Sequence, residues 1–416
     1  MTLLKIKMRS ILSGIILLIL ILDFPWNRLF SVSETIYSLN STVSKLIILF
    51  IAAFALFIVL QKYGHLIYKY HYAKRYTVMV CVVTLVLIVY SAIIYSDQSI
   101  MRSFKLGHHY FLIILAVCFL AKMELDGGIE NLMKVLNIYS FCWYIIIAMQ
   151  SILYSTNGTL FMKGIDTSWA GFLGTGTLRI SMIAIPNFMI VYNFCRITEK
   201  KARMFNYIQL ILGIFCLLFV QQTRAYDVVI FVSCVVIYIS YSDKPLIALR
   251  NTVIACIIII IALNTPYAKT LIDSFSSSEL TAKTASNTAR VYAYSYYWNR
   301  FLNSPLFGDG FAAPEKYQSI TNGPLGMASY SDCGIIAIGA QFGIWGYIIY
   351  ALYIGRMIKV VCRIRRKRKL KNNTIVIGVL CYCILTSISL INMTVAFIIL
   401  YPLCLAIVEY QNYHTE

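Results

Sequence analysis

The sequence predicts an all-α integral membrane protein that crosses the bilayer about a dozen times and carries one large extracytoplasmic loop. Three observations predict it. Of 416 residues, 60% are hydrophobic and only 13% charged. The mean hydropathy is +0.75, and apolar runs of spanning length recur from one end of the chain to the other. A soluble domain has too little interior to hide that much apolar side chain, whereas lipid accepts it directly. Lipid offers the backbone no hydrogen-bond partners, so each span must satisfy its own N–H and C=O groups, which runs of roughly 20 residues do as helices. The alternating, turn-rich pattern of an outer-membrane barrel is absent.

Taken in order, the apolar stretches predict helices near 9–23, 43–61, 76–95, 109–122, 132–154, 178–196, 206–221, 226–242, 247–264, 334–358, 375–391 and 394–410. The first follows Lys5, Lys7 and Arg9 as a signal peptide would. No small-x-small cleavage site succeeds it, only Asp23-Phe24-Pro25-Trp26, so it reads as an uncleaved helix. Residues 1–416 read as one membrane domain without a soluble part, a low-complexity tract or an internal repeat. The twelve cysteines are scattered, mostly within apolar runs, and form no Cys-x-x-Cys pair, so they read as small lipid-compatible side chains.

Charge sets the orientation. The net charge is +19, which in a soluble protein would point to nucleic acid. Here its distribution matters more, because Lys and Arg gather on the cytoplasmic side. With an inside N-terminus, the inside segments hold about two thirds of the 36 basic residues, including the Arg365–Lys369 cluster. Both termini are then cytoplasmic, and the cluster is an anchor at anionic headgroups, not a nucleic-acid site. The segment 265–333 falls outside. It is far longer than the other connections, rich in Ser, Thr, Tyr and Asn, and long loops of this kind are usually functional. A second polar loop at about 155–177 could roof the same outer surface.

Charged residues near the outer helix ends are costly there and are candidates for function. Arg179 opens the sixth predicted helix, followed by Pro186-Asn187. Arg224 sits in the short turn between the seventh and eighth. Arg290 lies in the long loop ten residues before Arg300, and Asp332 lies at the loop's end. Guanidinium groups bind phosphate bidentately, so a lipid-linked diphosphate suits them; the bland reading is that each snorkels to headgroups or pairs with an acid. For Arg300 the bland reading is preferred. The aromatic run from Tyr292 to Trp298, with Tyr297 and Trp298 as its sugar-stacking candidates, reads either as an interfacial belt or as a platform for sugar rings, and the belt is preferred. His108-His109 read as interfacial. No HExxH, Walker or GxSxG motif occurs, which removes support for zinc hydrolysis, ATP use and serine hydrolysis.

The stretch from Arg290 to Gly346 resembles the bacterial O-antigen polymerase and O-antigen ligase superfamily. Arg290 is followed by Asn303-Ser304-Pro305-Leu306-Phe307-Gly308-Asp309-Gly310-Phe311, then by Ser331-Asp332-Cys333-Gly334 and Gly343-Ile344-Trp345-Gly346. Arg179 with Pro186-Asn187, and Thr223-Arg224-Ala225 at a helix junction, look similar to earlier pieces of the family pattern. Order and topology agree over about 170–360. Ligases resembling this chain place a His-Asn pair where Asp332-Cys333 stands; the missing His points to the polymerase branch.

The resemblance implies a GT-C-like, metal-independent glycosyltransferase of the bacterial cytoplasmic (inner) membrane, needing no cofactor. It would join undecaprenyl-diphosphate-linked oligosaccharides into O-antigen, capsule or exopolysaccharide. Asp332, Arg290 and Arg224 are the implied catalytic residues, and Arg179, Asn187, Gly308, Gly310, Tyr297 and Trp298 the implied substrate contacts. Asp332 serves the acceptor hydroxyl or caps the following helix. A chain-length regulator is the implied protein partner. A ligase, or a flippase of lipid-linked oligosaccharide, is the alternative.

Overall fold

The computed structural model describes residues 2–24, 29, 34–162, 165, 178–221, 223–242, 246–247, 249–250, 252–254, 279–326, 328–367, 373–389 and 391–415. Among them there are helices and turns and no strand. In chain order the helices are α1 (Thr2–Asp23), α2 (Glu34–Ile67) and α3 (His71–Ile94). Next come α4 (Ile100–Asp126), whose middle tightens into a 3-10 turn, and α5 (Glu130–Asn157). They are followed by α6 (Ala184–Thr198), α7 (Met204–Gln221) and α8 (Arg224–Tyr241). Then come α9 (Glu279–Asn303), the short α10 (Gln318–Thr321), α11 (Gly334–Phe342), α12 (Ile344–Arg366), α13 (Thr374–Thr386) and α14 (Leu400–His414).

Six of these, α2 from Val43 onward, α3, α4, α5, α7 and α12, are long and apolar enough to cross a membrane; Ser10–Asp23, Ala225–Tyr241 and Thr374–Thr386 are shorter apolar helices. The protein is thus a polytopic, all-helical membrane protein. The predicted span at 247–264 lies mostly outside the described residues.

Four predicted elements differ from the structure, each for a physical reason. Residues 178–196 are helical only from Ala184, which puts Pro186 in the first turn, where a missing N–H costs no hydrogen bond. The run 334–358 is two helices, α11 and α12, broken at Gly343 with φ +63°. A Cβ there would lie 2.5 Å from the Leu306 carbonyl, so only glycine allows the close approach. The run 394–410 is helical only from Leu400; the residues before it are irregular, yet Ile391, Asn392, Met393, Ile398 and Ile399 are buried by the protein, a setting in which membrane-depth backbone need not be regular. Finally, the long connection holds the 25-residue helix α9. Its stretch contains no Gly or Pro; apart from Pro266, the breakers of the connection come after it, between Pro305 and Gly326.

Ion pairs mark one end of the bundle as basic. Glu124 at the end of α4 accepts from Lys69 of the α2–α3 turn at 2.9 Å and lies 2.7 Å from His414 of α14. Arg363 of α12 donates to Asn412 of α14 at 3.0 Å, and Arg196 of α6 lies 3.5 Å from Glu130 of α5. The segments that carry most of the Lys and Arg therefore share one side.

Helix α13 packs between α6 and α8. Toward the basic end Gly378 lets them approach closely: a Cβ there would lie 3.0 Å from Val191, 3.2 Å from Cys195 and 3.3 Å from Ile237. Toward the opposite end Tyr382 of α13 meets Phe188 of α6, with ring centroids 5.7 Å apart. The three helices begin or end near Arg179, Arg224 and Ser387, so their packing gathers those positions. Helix α9 lies on α11 through the small residues Ala293, Ala337 and Ala340, all buried.

Candidate functional site

Residues 178–183 run extended beside the end of α7. Ile180 N–H donates to Val220 O at 2.9 Å, the Arg179 Nε to Gln221 O at 3.3 Å and its guanidinium to Thr223 Oγ1 at 3.4 Å. Thr223 is the residue before α8, which Arg224 opens; the Arg224 side chain lies outside the described residues. Arg179 and the start of α8 are therefore one structural unit.

Arg290 of α9 acts on Arg179 through its charge. Its positive charge, together with burial, pulls the Arg179 guanidinium below its ordinary value; burial is the larger cause, and the Asp332 carboxylate opposes both. Three charges from segments far apart in sequence thus act on one another. Both Arg290 and Asp332 are exposed, while Arg179 is half-buried. Among the described residues, two cations and one carboxylate act on one another here, a balance of charge suited to holding a phosphate group.

A turn after α13 holds the site in shape. Ile335 N–H donates to Ser387 O at 2.8 Å, and Tyr294 Oη donates to Ile388 O at 2.7 Å. The helix bearing Arg290 and the start of α11, just after Asp332, are thereby fastened to two adjacent carbonyls, Ile388 O and Ser387 O respectively. Gly334 has φ +52°, and a Cβ on it would collide with those carbonyls, which fixes glycine there. Tyr294 lies one helical turn after Arg290, on the same face. Its hydroxyl is pushed upward chiefly by burial, with Arg290 opposing and Asp332 adding to the rise. Sequence reasoning took Tyr294 only as part of the aromatic run from Tyr292 to Trp298 and missed this fastening role; its spacing from Arg290 was the available signal. Neighbouring Cys333 is buried, which pushes its thiol up to about 12 and keeps it neutral.

Asp332 does not cap α11. The position before that helix is Cys333, and no side chain bonds to its first turn. The carboxylate instead accepts from Ser331 Oγ at 3.2 Å and remains exposed.

The other implied contacts separate into two groups. Trp298 is 45% exposed and can meet a ligand, whereas Tyr297 is 0% exposed, stacked on Tyr330 at 4.5 Å and hydrogen-bonded to Thr321 O at 2.6 Å. Gly308 and Gly310, both at φ +64°, pack against protein: a Cβ on Gly308 would meet the backbone of Ala340, Gln341 and Gly343, and one on Gly310 would meet Ser91. Their segment plugs into α3 and α11, with Asp309 N–H on Ala340 O at 2.7 Å and Phe311 N–H on Ser91 Oγ at 2.7 Å. Asn187 is fully buried one turn inside α6, and its Oδ1 has no hydrogen-bond partner among the described residues.

Arg300 pairs with an acid, as its bland reading expects. It grips Asp309 with both Nε, at 3.0 Å, and a terminal nitrogen. His108 and His109 are buried, not interfacial, with His108 Nδ1 2.8 Å from Lys105 O. The loop at 155–177 falls largely outside the described residues. Among the described residues no three His, Cys, Asp or Glu side chains group as a metal's donor set requires.

Residues 208–351 match the family described as O-antigen ligase. The matched span contains Arg224, Arg290 and Asp332 and stops short of Arg179. The likeness to the O-antigen polymerase and ligase superfamily stands on that match. No curated protein matches the chain.

Proposed function

With that family match as premise, we propose that this protein is a polysaccharide polymerase at the outer face of the bacterial cytoplasmic membrane. It is a twelve-span, GT-C-like glycosyltransferase with both termini cytoplasmic. The observation that carries the reading is the grouping of Arg179, Arg290 and an uncapped Asp332 at the end of the bundle opposite the basic one. The basic end is cytoplasmic by the positive-inside bias, which puts the site outside.

Donor and acceptor are oligosaccharide repeat units on undecaprenyl diphosphate. An acceptor hydroxyl oxygen attacks the donor's anomeric carbon, and the bond from that carbon to the diphosphate oxygen breaks. The departing diphosphate takes the bond's electron pair, and the hydroxyl proton passes to Asp332. Arg290 and Arg179, joined by Arg224, hold positive charge where negative charge grows, so stabilisation is greatest in the transition state. The arginines perform the task a divalent ion has elsewhere, and no cofactor is needed. Trp298 binds substrate as a face for a sugar ring, whereas Asn187, like Tyr297, is held inside the protein. A chain-length regulator is the expected protein partner.

The family description favours a second reading, an O-antigen ligase that attaches finished polymer to a lipid core. The residue at its catalytic His position is Asp332, which favours the polymerase. Gel profiles of a polymer-producing host decide. With Asp332→Asn at normal expression, long-chain polymer falls by a factor of about 10² to 10⁴ while single repeat units still reach the surface. Unchanged long chains remove the proposed role of Asp332. Polymer that persists on its lipid carrier without reaching the core identifies a ligase, and an empty surface identifies a flippase.

A further inference from the structure

A groove of about 840 Å³ runs along α3, away from the candidate site. Its wall is the stripe Val78, Val82 and Val86, which are 61%, 52% and 44% exposed. Valine side chains are short, so the stripe forms a trough against the larger Phe307 and Trp345, which close one end. Lys74 and Arg75 close the other. From Lys74 to Leu87 the helix rises about 20 Å, somewhat more than half the roughly 30 Å of a bilayer's hydrocarbon core.

The two ends differ in charge, and that difference selects the occupant. Arg75 is exposed, and Lys74 lies 4.7 Å from the Tyr68 ring; neither takes part in an ion pair among the described residues. Both belong to the basic end of the bundle. A diphosphate lipid engaged at Arg179 and Arg290 would present its anion at the opposite end, where the groove offers only Phe307 and Trp345. We propose that this groove is a binding site for an anionic phospholipid of the leaflet at the basic end, with its headgroup on Lys74 and Arg75 and one acyl chain on the valine stripe. Apolar area supplies the seat, and the two cations supply the preference for negative headgroups. The inference does not depend on which sugar chemistry the protein performs.

Native mass spectrometry of the full-length protein, released from membranes into mild detergent, tests the site. The probes are phosphatidylglycerol and phosphatidylcholine with the same acyl chains. Phosphatidylglycerol is expected to be retained in preference, and Lys74→Gln with Arg75→Gln should reduce that preference roughly thirtyfold, because each surface cation contributes about a factor of five. Val82→Trp fills the trough and should lower retention of both lipids; Val82 points outward, and an unchanged unfolding midpoint verifies folding. Equal retention of the two lipids by the unaltered protein overturns the proposal, as does indifference to both variants. Displacement of phosphatidylglycerol by a polyprenyl diphosphate at equal concentration would assign the groove to the substrate's tail and overturn it too.

Discussion

Arg290 and Arg300 stand ten residues apart on one helix and look equivalent in the sequence, yet their surroundings differ in kind. Arg300 is clamped by Asp309, whose side chain is 2% exposed. That contact raises the guanidinium above its ordinary value, and burial in turn pushes the Asp309 carboxyl up against the pull of Arg300. The pair closes the plug that ties α9 to α3 and α11. Arg290 is exposed and faces another cation, Arg179, with Asp332 as the opposing charge. A cation neutralised within the fold holds the fold; a cation placed beside a second one is poised for an anion from outside. Charge type does not distinguish these roles. Partnering does.

The sharpest way to break this comparison is to truncate each arginine. Arg290→Ala is expected to lower long-chain polymer by about 10² to 10³ with normal expression and an unchanged unfolding midpoint, the effect of removing one preorganised group that stabilises transition-state charge. Unchanged polymer at normal protein level would remove Arg290 from the chemistry. Arg300→Ala should act through stability instead. It leaves Asp309 buried and unpaired, at a cost of about 3 kcal/mol, so the unfolding midpoint and the amount of protein fall, and polymer falls only in proportion to protein. A large loss of polymer per molecule from Arg300→Ala, with the midpoint intact, would erase the distinction between the two arginines.

How much of this was legible in sequence depends on what kind of signal each feature leaves. Hydropathy located α2, α3, α5 and α7 because their burial in lipid requires only composition and length. It was blind to the break at Gly343, since the flanking residues are apolar on both sides and the break resides in one backbone angle. The start of α6 could have been placed from Pro186, which belongs in a first turn. The irregular stretch before Leu400 left no such mark, because protein, not lipid, covers it. At the site, Arg179, Arg290 and Asp332 were legible as charges out of place, but their meeting arises from the packing of α13 between α6 and α8, and from the Ser387 and Ile388 carbonyls. Neither is written in any local motif. Gly308 and Gly310 were legible as special positions, although their conformation serves close packing of backbone against backbone.

The finest test concerns the fastening of the site. Tyr294 joins the helix of Arg290 to the turn that holds Gly334 and Ile335, through its 2.7 Å bond to Ile388 O. Tyr294→Phe keeps the ring and its packing and removes only that donor. The expected stability loss is about 1 kcal/mol, the net value of such a bond. If the bond also sets the spacing of Arg290 and Asp332, polymer per molecule should fall about fivefold, a barrier change of similar size. A loss of stability with full polymer output would make Tyr294 a fastener whose slack the site tolerates. A loss as deep as that of Arg290→Ala would show the hydroxyl itself engaging substrate, and the boundary between fold-holding and anion-holding groups on α9 would then lie at Tyr297, whose hydroxyl is already committed to Thr321.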